Sequence, residues 1–351
     1  MGLPNRNKAL LEPLRKAQLN FTSQGVRAAL SALLADDAIV RLSFPFETME
    51  GPKAFYDKAF APLFHALPDL ERRDYIVIGG ADEDGAQWVG CGGFFCGTFV
   101  NPFLEIQPTG QLVHMRFHEF YKFEDDKIVE FQGLWDIPEL MMQANAWPMS
   151  PSLGRQWCVP GPTTQDGLVQ TEYDAIGSAA SKQLIVNMLT AMKRHPAEPK
   201  EAMELPHFWH ERMNWYGPAG IGTGRGIAGF RNWHQIPFLN AMPDRGKTLG
   251  HTQHHFLADG DYVGVTGWPN MLQTITAGGW LGIAPADQKV SMRSLDFWRL
   301  EGEGANRRIR ENWVLVDLLS VYDQIGVDVL GRMAEFNKAR STSVTDVAWR
   351  Y

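Results

Sequence analysis

The chain has 351 residues, more than one hydrophobic core usually organises, so we expect two domains. Hydrophobic residues make up 44%, as in ordinary globular proteins, and a formal net charge of −7 gives no basic surface for nucleic acid. No apolar run is long enough for a signal peptide or a membrane span, and three cysteines are too few for a disulfide framework. We therefore expect a cytoplasmic protein without nucleic-acid or membrane partners.

Helical patterns precede strand patterns in the first half of the chain. Thr22 offers a side-chain cap at a break in the first helical stretch, because threonine is favoured immediately before a helix. Turn-forming clusters at 82–85 and 124–127 separate alternating runs, which predicts long antiparallel hairpins. The predicted segments are a helix over 8–35 with a break near 20–24, a strand over 38–44, a helix over 51–67 and strands over 74–136.

A stretch rich in proline, glycine and serine divides the chain at residues 144–177, and this composition is typical of a linker. After it the predicted segments are a helix over 178–193, a strand over 209–216, a helix over 227–241, strands over 248–317 and a helix over 318–339. We predict one domain at 1–147, a linker at 148–177, a second domain at 178–330 and a C-terminal extension at 331–351.

Three blocks match between the two halves in the same order, which indicates an internal duplication. Residues 51–69 correspond to 226–244, and residues 103–116 align with 280–293 without a gap. The spacing Ile-x-Glu-x-x-x-Leu-x-Asp occurs at 128–136 and again at 309–317. One structural unit is therefore predicted twice.

Helices followed by long hairpins that end in this spacing and a short helix resemble the SnoaL-like polyketide cyclase family, within the nuclear-transport-factor-2-like (NTF2-like) superfamily. The residues that carry the resemblance are Gly51, Phe55, Pro68, Asp69, Met115, Arg116, Glu119, Ile128, Glu130 and Asp136, then Trp215–Pro218, Gly226, Phe230, Met292, Arg293, Asp296, Glu311–Trp313, Asp317 and Gln324–Gly326. The resemblance implies an α+β fold of two tandem NTF2-like cones, each a strongly curved antiparallel sheet covered by N-terminal helices. It also implies an intramolecular pseudo-dimer and an activity without metal or organic cofactor.

Asp317 and Asp136 end the two matching strands, where family members that cyclise polyketides carry an acid/base. Asp317 follows Trp313 and Leu315 at a period of two, so these side chains are expected on one face. An aromatic cavity raises the pKa of a carboxyl group and makes it an effective base near neutral pH. We predict catalytic roles for both aspartates, with Asp317 the principal one. The alternative is that each caps the helix that follows it.

Asp296 and Glu119 are acids at matching places in mid-strand, near the position where the resembled family uses a histidine. A second acid near the first drives their pKa values apart, so that one donates a proton while the other accepts it. We predict Asp296 as the paired catalytic acid and Glu119 as a substrate contact. The alternative is a salt bridge to Arg293 or Arg116, although residues three apart point to opposite faces of a regular strand.

His251, His254 and His255 form the densest histidine cluster. On a strand His254 faces away from the other two, so three ligands do not converge and no metal site is predicted. We predict His255 as a catalytic donor or base and His251 as a substrate contact. The glycine run at 220–226 lacks the preceding parallel strand and following acid of a dinucleotide site, so it is interpreted as an entrance loop.

Several of the twelve tryptophans fall in predicted core segments of the second half. Aromatic side chains line pockets for flat, ring-bearing molecules, although they also fill cores. The predicted substrate-binding residues are Trp313, Trp268, Tyr216, Trp215, Arg293, Glu119 and His251, with Tyr216 or His255 as donor to an oxyanion.

Together these residues predict cofactor-independent proton transfer on a hydrophobic, cyclic or aromatic, polyketide-like molecule, by a cyclase, isomerase or lyase. Aldol ring closure is the chemistry of the resembled family, and a retro-aldol or deformylating reaction uses the same base. One alternative is epoxide hydrolysis, although the Asp-Arg-Asp arrangement used for it on this fold does not match the spacing of Arg293 and Asp296. A non-catalytic small-molecule-binding module and a further homo-oligomer also remain open.

Overall fold

The computed structural model describes residues 2–195, 197–245, 250–276, 278–283 and 287–337. Within these residues, two six-stranded sheets with their helices form two tandem α+β domains. No helix of the described part is long and apolar enough to cross a membrane.

The first domain begins with two helices, α1 (Leu3–Leu19) and α2 (Ser23–Leu33), as predicted. The Thr22 hydroxyl caps α2 by accepting the Gly25 backbone N–H at 3.1 Å. Its strands are β1 (Leu34–Leu42), β2 (Glu47–Glu50), β3 (Glu71–Ala81), β4 (Gln87–Thr98), β5 (Leu112–Glu124) and β6 (Lys127–Trp135). The other helices are α3 (Gly51–Phe55), a π-helical turn (Tyr56–Phe60), α4 (Ala61–Ala66) and α5 (Ile137–Gln143). The strands lie in the sheet in the order β2-β1-β6-β5-β4-β3.

The second domain repeats this plan. Its helical segments are α6 (Ala175–Met192), a 3₁₀ turn (Lys200–Met203), α7 (Leu205–Phe208), α8 (Gly226–Phe230), a π-helical turn (Arg231–Gln235), α9 (Ile236–Ala241), a 3₁₀ turn (Gly304–Asn306), α10 (Leu318–Gln324) and α11 (Val329–Asn337). Its strands are β7 (Trp209–Tyr216), β8 (Thr223–Arg225), β9 (His255–Asp259), β10 (Tyr262–Thr266), β11 (Met271–Ile275), β12 (Gln288–Met292), β13 (Ser294–Glu301) and β14 (Arg308–Val316). Six of them lie in one sheet in the order β8-β7-β14-β13-β10-β9, and β11 and β12 form a separate two-stranded sheet. The last two residues of the predicted helix over 318–339 lie outside the described residues.

Each six-stranded sheet is mixed, which corrects the prediction of a purely antiparallel sheet. β1 pairs with β6 in parallel, and β7 pairs with β14 in the same way. Parallel neighbours need a long crossover, which the intervening helices and hairpins supply. Neither sheet closes on itself in the described residues, so the predicted cones are open sheets.

The two sheets pack face to face around a stacked pair of phenylalanines, Phe120 and Phe297. These residues occupy matching positions of the repeat, and their ring centroids lie 5.0 Å apart with an interplanar angle of 9°. Both side chains are fully buried. The contact is therefore equivalent from either domain, as in a two-fold symmetric dimer interface.

Gly90 makes room for this stack. A Cβ atom at Gly90 would lie 2.9 Å from ring atoms of both Phe120 and Phe297. Because both rings are fully buried, we expect Gly90→Ala to lower the free energy of unfolding by about 1–3 kcal/mol. Urea denaturation of the intact chain measures this. Gly278→Ala is the matched control, since the nearest atom to its added Cβ is 3.8 Å away; equal losses in both variants would contradict the packing explanation.

The predicted linker is attached to both domains. The Val77 backbone N–H in β3 donates to the Gly167 carbonyl at 2.8 Å, and the Trp313 indole in β14 donates to the Pro160 carbonyl at 2.9 Å. The segment thus covers the edge of the contact between the sheets. Its bounds at 148–177, like those of the domains, stay predictions.

Candidate functional site

A cavity of about 110 Å³ lies between the sheet of the second domain and the helices α6, α8 and α9. A groove of about 460 Å³ adjoins it and shares Arg245, His254 and Asn270 with its lining. The apolar wall is formed by Met188, Leu189, Met192, Trp209, Trp215, Ile221, Phe230, Phe238, Phe256, Val265, Met271, Met292, Trp298, Val314 and Val316. The cavity is thus an apolar chamber into which a few polar groups project.

Asp296 projects into this chamber from β13. Its Oδ1 accepts a hydrogen bond from the Ser294 hydroxyl at 2.7 Å. Burial raises the pKa of Asp296 to about 7, and this effect outweighs the Ser294 hydrogen bond and the Arg245 charge, which both lower it. A carboxyl group with such a pKa exchanges protons readily near neutral pH.

Asn270 fixes the position of Ser294. The Asn270 side-chain amide donates to the Ser294 carbonyl at 2.5 Å and accepts the Ser294 backbone N–H at 3.0 Å. Asn270 stands where the long hairpin of the second domain is interrupted, directly after the cis peptide bond between Trp268 and Pro269. The interruption therefore aligns the serine that binds the catalytic candidate.

His234 lies on the helical side of the cavity. Its ring stacks on Trp215 with centroids 4.0 Å apart and an interplanar angle of 12°. Burial lowers the pKa of His234 to about 3, with a smaller contribution in the same direction from the Arg245 charge. The imidazole is therefore neutral near pH 7 and presents a neutral hydrogen-bonding group to the chamber.

In the first domain the matching space is filled with aromatic rings. The paired strands β5 and β6 carry large residues where β13 and β14 carry smaller ones, in the same register. The differences are Trp135 for Val316, Phe117 for Ser294 and Phe131 for Asn312. The chamber of the second domain thus follows from three smaller side chains.

Glu119, the counterpart of Asp296, belongs to a buried ion-pair network rather than a chamber. It accepts hydrogen bonds from Arg72 at 2.5 Å, from the Tyr121 hydroxyl at 2.6 Å and from the Trp135 indole at 3.0 Å. Arg72 also binds Asp74 at 2.9 Å. These groups occupy the carboxylate oxygens, so the substrate contact predicted for Glu119 stays a prediction that this network does not favour.

Asp317 lies outside the chamber, at the contact between the two domains. Its carboxylate accepts the Phe44 backbone N–H of the first domain at 3.0 Å and pairs with Arg293 at 3.1 Å. It also caps α10 by accepting the Ser320 backbone N–H at 3.2 Å. Burial raises the pKa of Asp317, while Arg293 opposes the rise. The helix-capping alternative from the sequence is thus present.

Asp136 occupies the equivalent place in the first domain. It accepts the Ala219 backbone N–H of the second domain at 2.9 Å and pairs with Arg116 at 3.4 Å. Burial and, to a smaller extent, the Glu139 charge raise the pKa of Asp136 to about 6, against the lowering effect of Arg116. Both aspartates therefore join the domains, and a catalytic role for either stays a prediction that this placement does not favour.

Most other predicted site residues also contact the first domain or the linker. His255 binds Asp82 at 2.7 Å, and the Tyr216 hydroxyl donates to Glu311 at 3.2 Å. Trp313 lies in the contact between the sheets, and Trp268 lies under the Arg293 guanidinium at 4.5 Å. His251 is exposed. Of the predicted catalytic and substrate-binding residues, Asp296 and Trp215 line the chamber.

The sequence reasoning missed His234, Ser294 and Asn270. His234 has no counterpart in the matching blocks, because Ala59 stands at the equivalent position. Small residues in the second copy opposite large ones in the first were the available signal for the chamber. In the described part of the chain, no group of three His, Cys, Asp or Glu side chains is arranged to hold a metal ion.

Comparisons with known proteins give one family and several structures. Residues 13–144 match the family model described as SnoaL-like polyketide cyclase. The similar structures include IdmH from Streptomyces antibioticus, with 18% identity, a TM-score of 0.34 and coverage of 40% of this chain and 99% of that one. AclR from Streptomyces galilaeus has 24% identity, a TM-score of 0.34 and coverage of 42% and 85%.

A SnoaL-like protein from Jannaschia sp. CCS1 has 20% identity, a TM-score of 0.35 and coverage of 40% and 93%. No curated protein matches the chain. The predicted α+β class with two tandem domains is confirmed, since two six-stranded sheets with their helices follow one another along the chain. The first domain, over residues 13–144, is therefore similar to the SnoaL-like polyketide cyclase family, and this match covers less than half of the chain.

Proposed function

We propose that the second domain binds a small ring-bearing molecule in its chamber and that Asp296 transfers a proton to or from it. The observation that supports this most directly is a carboxyl group held by a single serine inside an apolar aromatic wall. Such surroundings favour the neutral acid, and they therefore raise the pKa of the carboxyl group toward the working pH. The proposed reaction class is aldol chemistry, and the same groups serve bond formation and the reverse, retro-aldol, bond cleavage.

The proposed step removes a proton from the carbon next to a carbonyl group. The Asp296 carboxylate takes the proton, the C–H electron pair becomes the C=C bond of an enolate, and the negative charge develops on the carbonyl oxygen. The enolate then attacks a second carbonyl group in ring closure, and the reverse sequence breaks the same bond. Asp296 returns its proton to the product, so no net proton is consumed.

The size of the chamber limits the molecule that enters it. An apolar cavity of ~150 Å³ is enough to hold benzene. The chamber of about 110 Å³ is smaller than this, so a ligand with a single ring fills it and extends into the adjoining groove of about 460 Å³.

Deuterium exchange into acetophenone tests the proposal. Acetophenone has one ring and a ketone whose methyl protons exchange slowly with D₂O in the absence of a catalyst. We expect the intact protein to accelerate this exchange, because Asp296 acts as a base in its ionised form. Since its pKa is about 7, the rate should rise with pH and reach half its maximum near pH 7. Proton NMR of the methyl signal measures the rate.

The control variant is Val316→Trp, which places in the chamber the residue that fills the first domain at Trp135. It should fold and show only the buffer rate of exchange. If the wild-type protein binds acetophenone, as saturation-transfer NMR would show, but exchanges it no faster than this variant, the proposed proton transfer is wrong. The second domain would then be a binding module.

A further inference from the structure

Two buried indoles of the chamber have hydrogen-bond donors without acceptors. The Nε1 atoms of Trp209 and Trp298 are buried and have no acceptor among the residues that the structure describes. The exposed fractions of these side chains are 3% and 2%, and both line the chamber. An unpaired buried N–H group is unfavourable, so a ligand that supplies an acceptor recovers that lost free energy.

The strands bring both indoles to the face that carries Asp296. Trp298 follows Asp296 by two residues on β13, so their side chains share a face of the strand. Trp209 lies on β7, and only the central strand β14 separates it from β13. Trp209 pairs with Ile309 and Trp298 pairs with Asn312, so the two tryptophans are two strands apart and staggered along β14, and both line the same small chamber.

Several other polar groups of the chamber are already engaged. Asn270 uses its amide on Ser294, and the Asn312 amide donates to the Phe297 carbonyl at 2.9 Å. Arg245 also lines the chamber, and as a cation it suits an anionic group, while the neutral His234 has an unpartnered Nδ1 atom among the described residues. The two indole N–H groups are neutral donors that suit the oxygen of a neutral carbonyl group, and in a low-dielectric setting such donors also stabilise a developing oxyanion.

We propose that the indole N–H groups of Trp298 and Trp209 bind the carbonyl oxygen of the ligand, so that the chamber selects ring-bearing ketones over hydrocarbons of the same shape. This inference rests on the proposed function only for the location of the ligand. During proton transfer the same N–H groups would hold the enolate oxygen, while Asp296 holds the proton. Neutral aryl and cyclic ketones are thus the expected ligand class.

A matched pair of probes isolates the carbonyl oxygen. Acetophenone and α-methylstyrene have the same shape, but the second carries a CH₂ group in place of oxygen. We expect the wild-type protein to bind acetophenone about 5- to 30-fold more tightly than α-methylstyrene, after correction for the transfer of each probe from water to an apolar solvent. Dissociation constants are measured by NMR titration of the intact protein.

The variant Trp298→Phe keeps an aromatic ring but removes the N–H group. We expect it to reduce the corrected preference for acetophenone to about 3-fold or less, because the carbonyl oxygen of acetophenone then lacks one of its two donors. The double variant Trp298→Phe/Trp209→Phe removes both donors and should reduce the preference further. The measured quantity is the ratio of the two dissociation constants. The smaller phenylalanine ring weakens the packing around both probes, so either dissociation constant alone would also report this packing change. Trp233→Phe, at an exposed tryptophan outside the lining, should leave the ratio unchanged.

Two outcomes would overturn the inference. One is a wild-type preference near 1, including the absence of measurable binding of either probe. The other is a preference that survives in the double variant. Another outcome is that the preference for acetophenone falls in the variants as expected while the wild-type protein catalyses no deuterium exchange. In that case the recognition of the carbonyl oxygen is supported and the proton transfer by Asp296 is wrong.

Discussion

Replacement of Asp296 by asparagine is expected to slow deuterium exchange into acetophenone by about 10²- to 10⁴-fold, the usual contribution of a positioned acid/base group. Asparagine has nearly the same shape and its carbonyl oxygen can accept the Ser294 hydroxyl, but it cannot take a proton. The affinity for acetophenone should therefore stay within about 3-fold, because the change removes a catalytic step and not a wall of the chamber.

Stability against urea at two pH values serves as the control for this variant. Because burial raises the pKa of Asp296 to about 7, the native state binds its proton more tightly than the unfolded chain does. The contribution of this group to stability is therefore present at pH 5 and is lost as the pH rises through 7. Asp296→Asn should lack that loss and be more stable than the wild type at pH 8.

Asp317→Asn separates this proposal from the role predicted for Asp317 by its sequence position. The variant weakens the pairing with Arg293 and the hydrogen bond from Phe44, so we expect lower stability with exchange per folded molecule retained. If exchange survives in Asp296→Asn but disappears in folded Asp317→Asn, the catalytic assignment belongs to Asp317.

The second large effect is expected at Arg72, whose replacement by methionine should destabilise the first domain by about 3–5 kcal/mol. Arg72 is fully buried, pairs with Glu119 and Asp74, and lies 4.1 Å above the Phe117 ring. Methionine fills similar space but leaves the Glu119 carboxylate in an apolar core without its cation. Urea denaturation measures the loss.

The double variant Arg72→Met/Glu119→Leu tests the cause of this loss. Removing both charges should recover much of the stability, because the cost arises from one unpaired buried charge. Exchange per folded molecule should be unchanged in both variants, since the chamber lies in the other domain. Loss of exchange in a variant that remains folded would show that the first domain takes part in the chemistry.

The order of elements and the duplication could be predicted because they depend on local patterns. Thr22 marks a helix start by its chemistry alone, and the blocks at 103–116 and 280–293 match residue by residue. The parallel pairing of β1 with β6 could not be predicted, because it joins segments that lie far apart in the chain and have no distinguishing local pattern.

The position of the candidate site was harder to predict because both faces of β14 are buried. Period-two spacing correctly placed Trp313, Leu315 and Asp317 on one face. That face contacts the other domain, however, while Asn312, Val314 and Val316 face the chamber. Alternation identifies the two sides of a strand but not what covers each side, so the sequence alone does not distinguish an aromatic cavity wall from an aromatic contact between domains.

The stacked phenylalanines at matching positions have a consequence for how the two halves diverge. When two separate identical chains meet through such a contact, every substitution appears on both sides of the assembly. In such a homodimer, a tryptophan that fills the chamber of one subunit also fills the chamber of the other. Covalent fusion removes that constraint, because the equivalent residues Trp135 and Val316 are separate positions of one polypeptide and can differ. One domain can therefore fill its interior with aromatic side chains and support the other, which keeps its chamber.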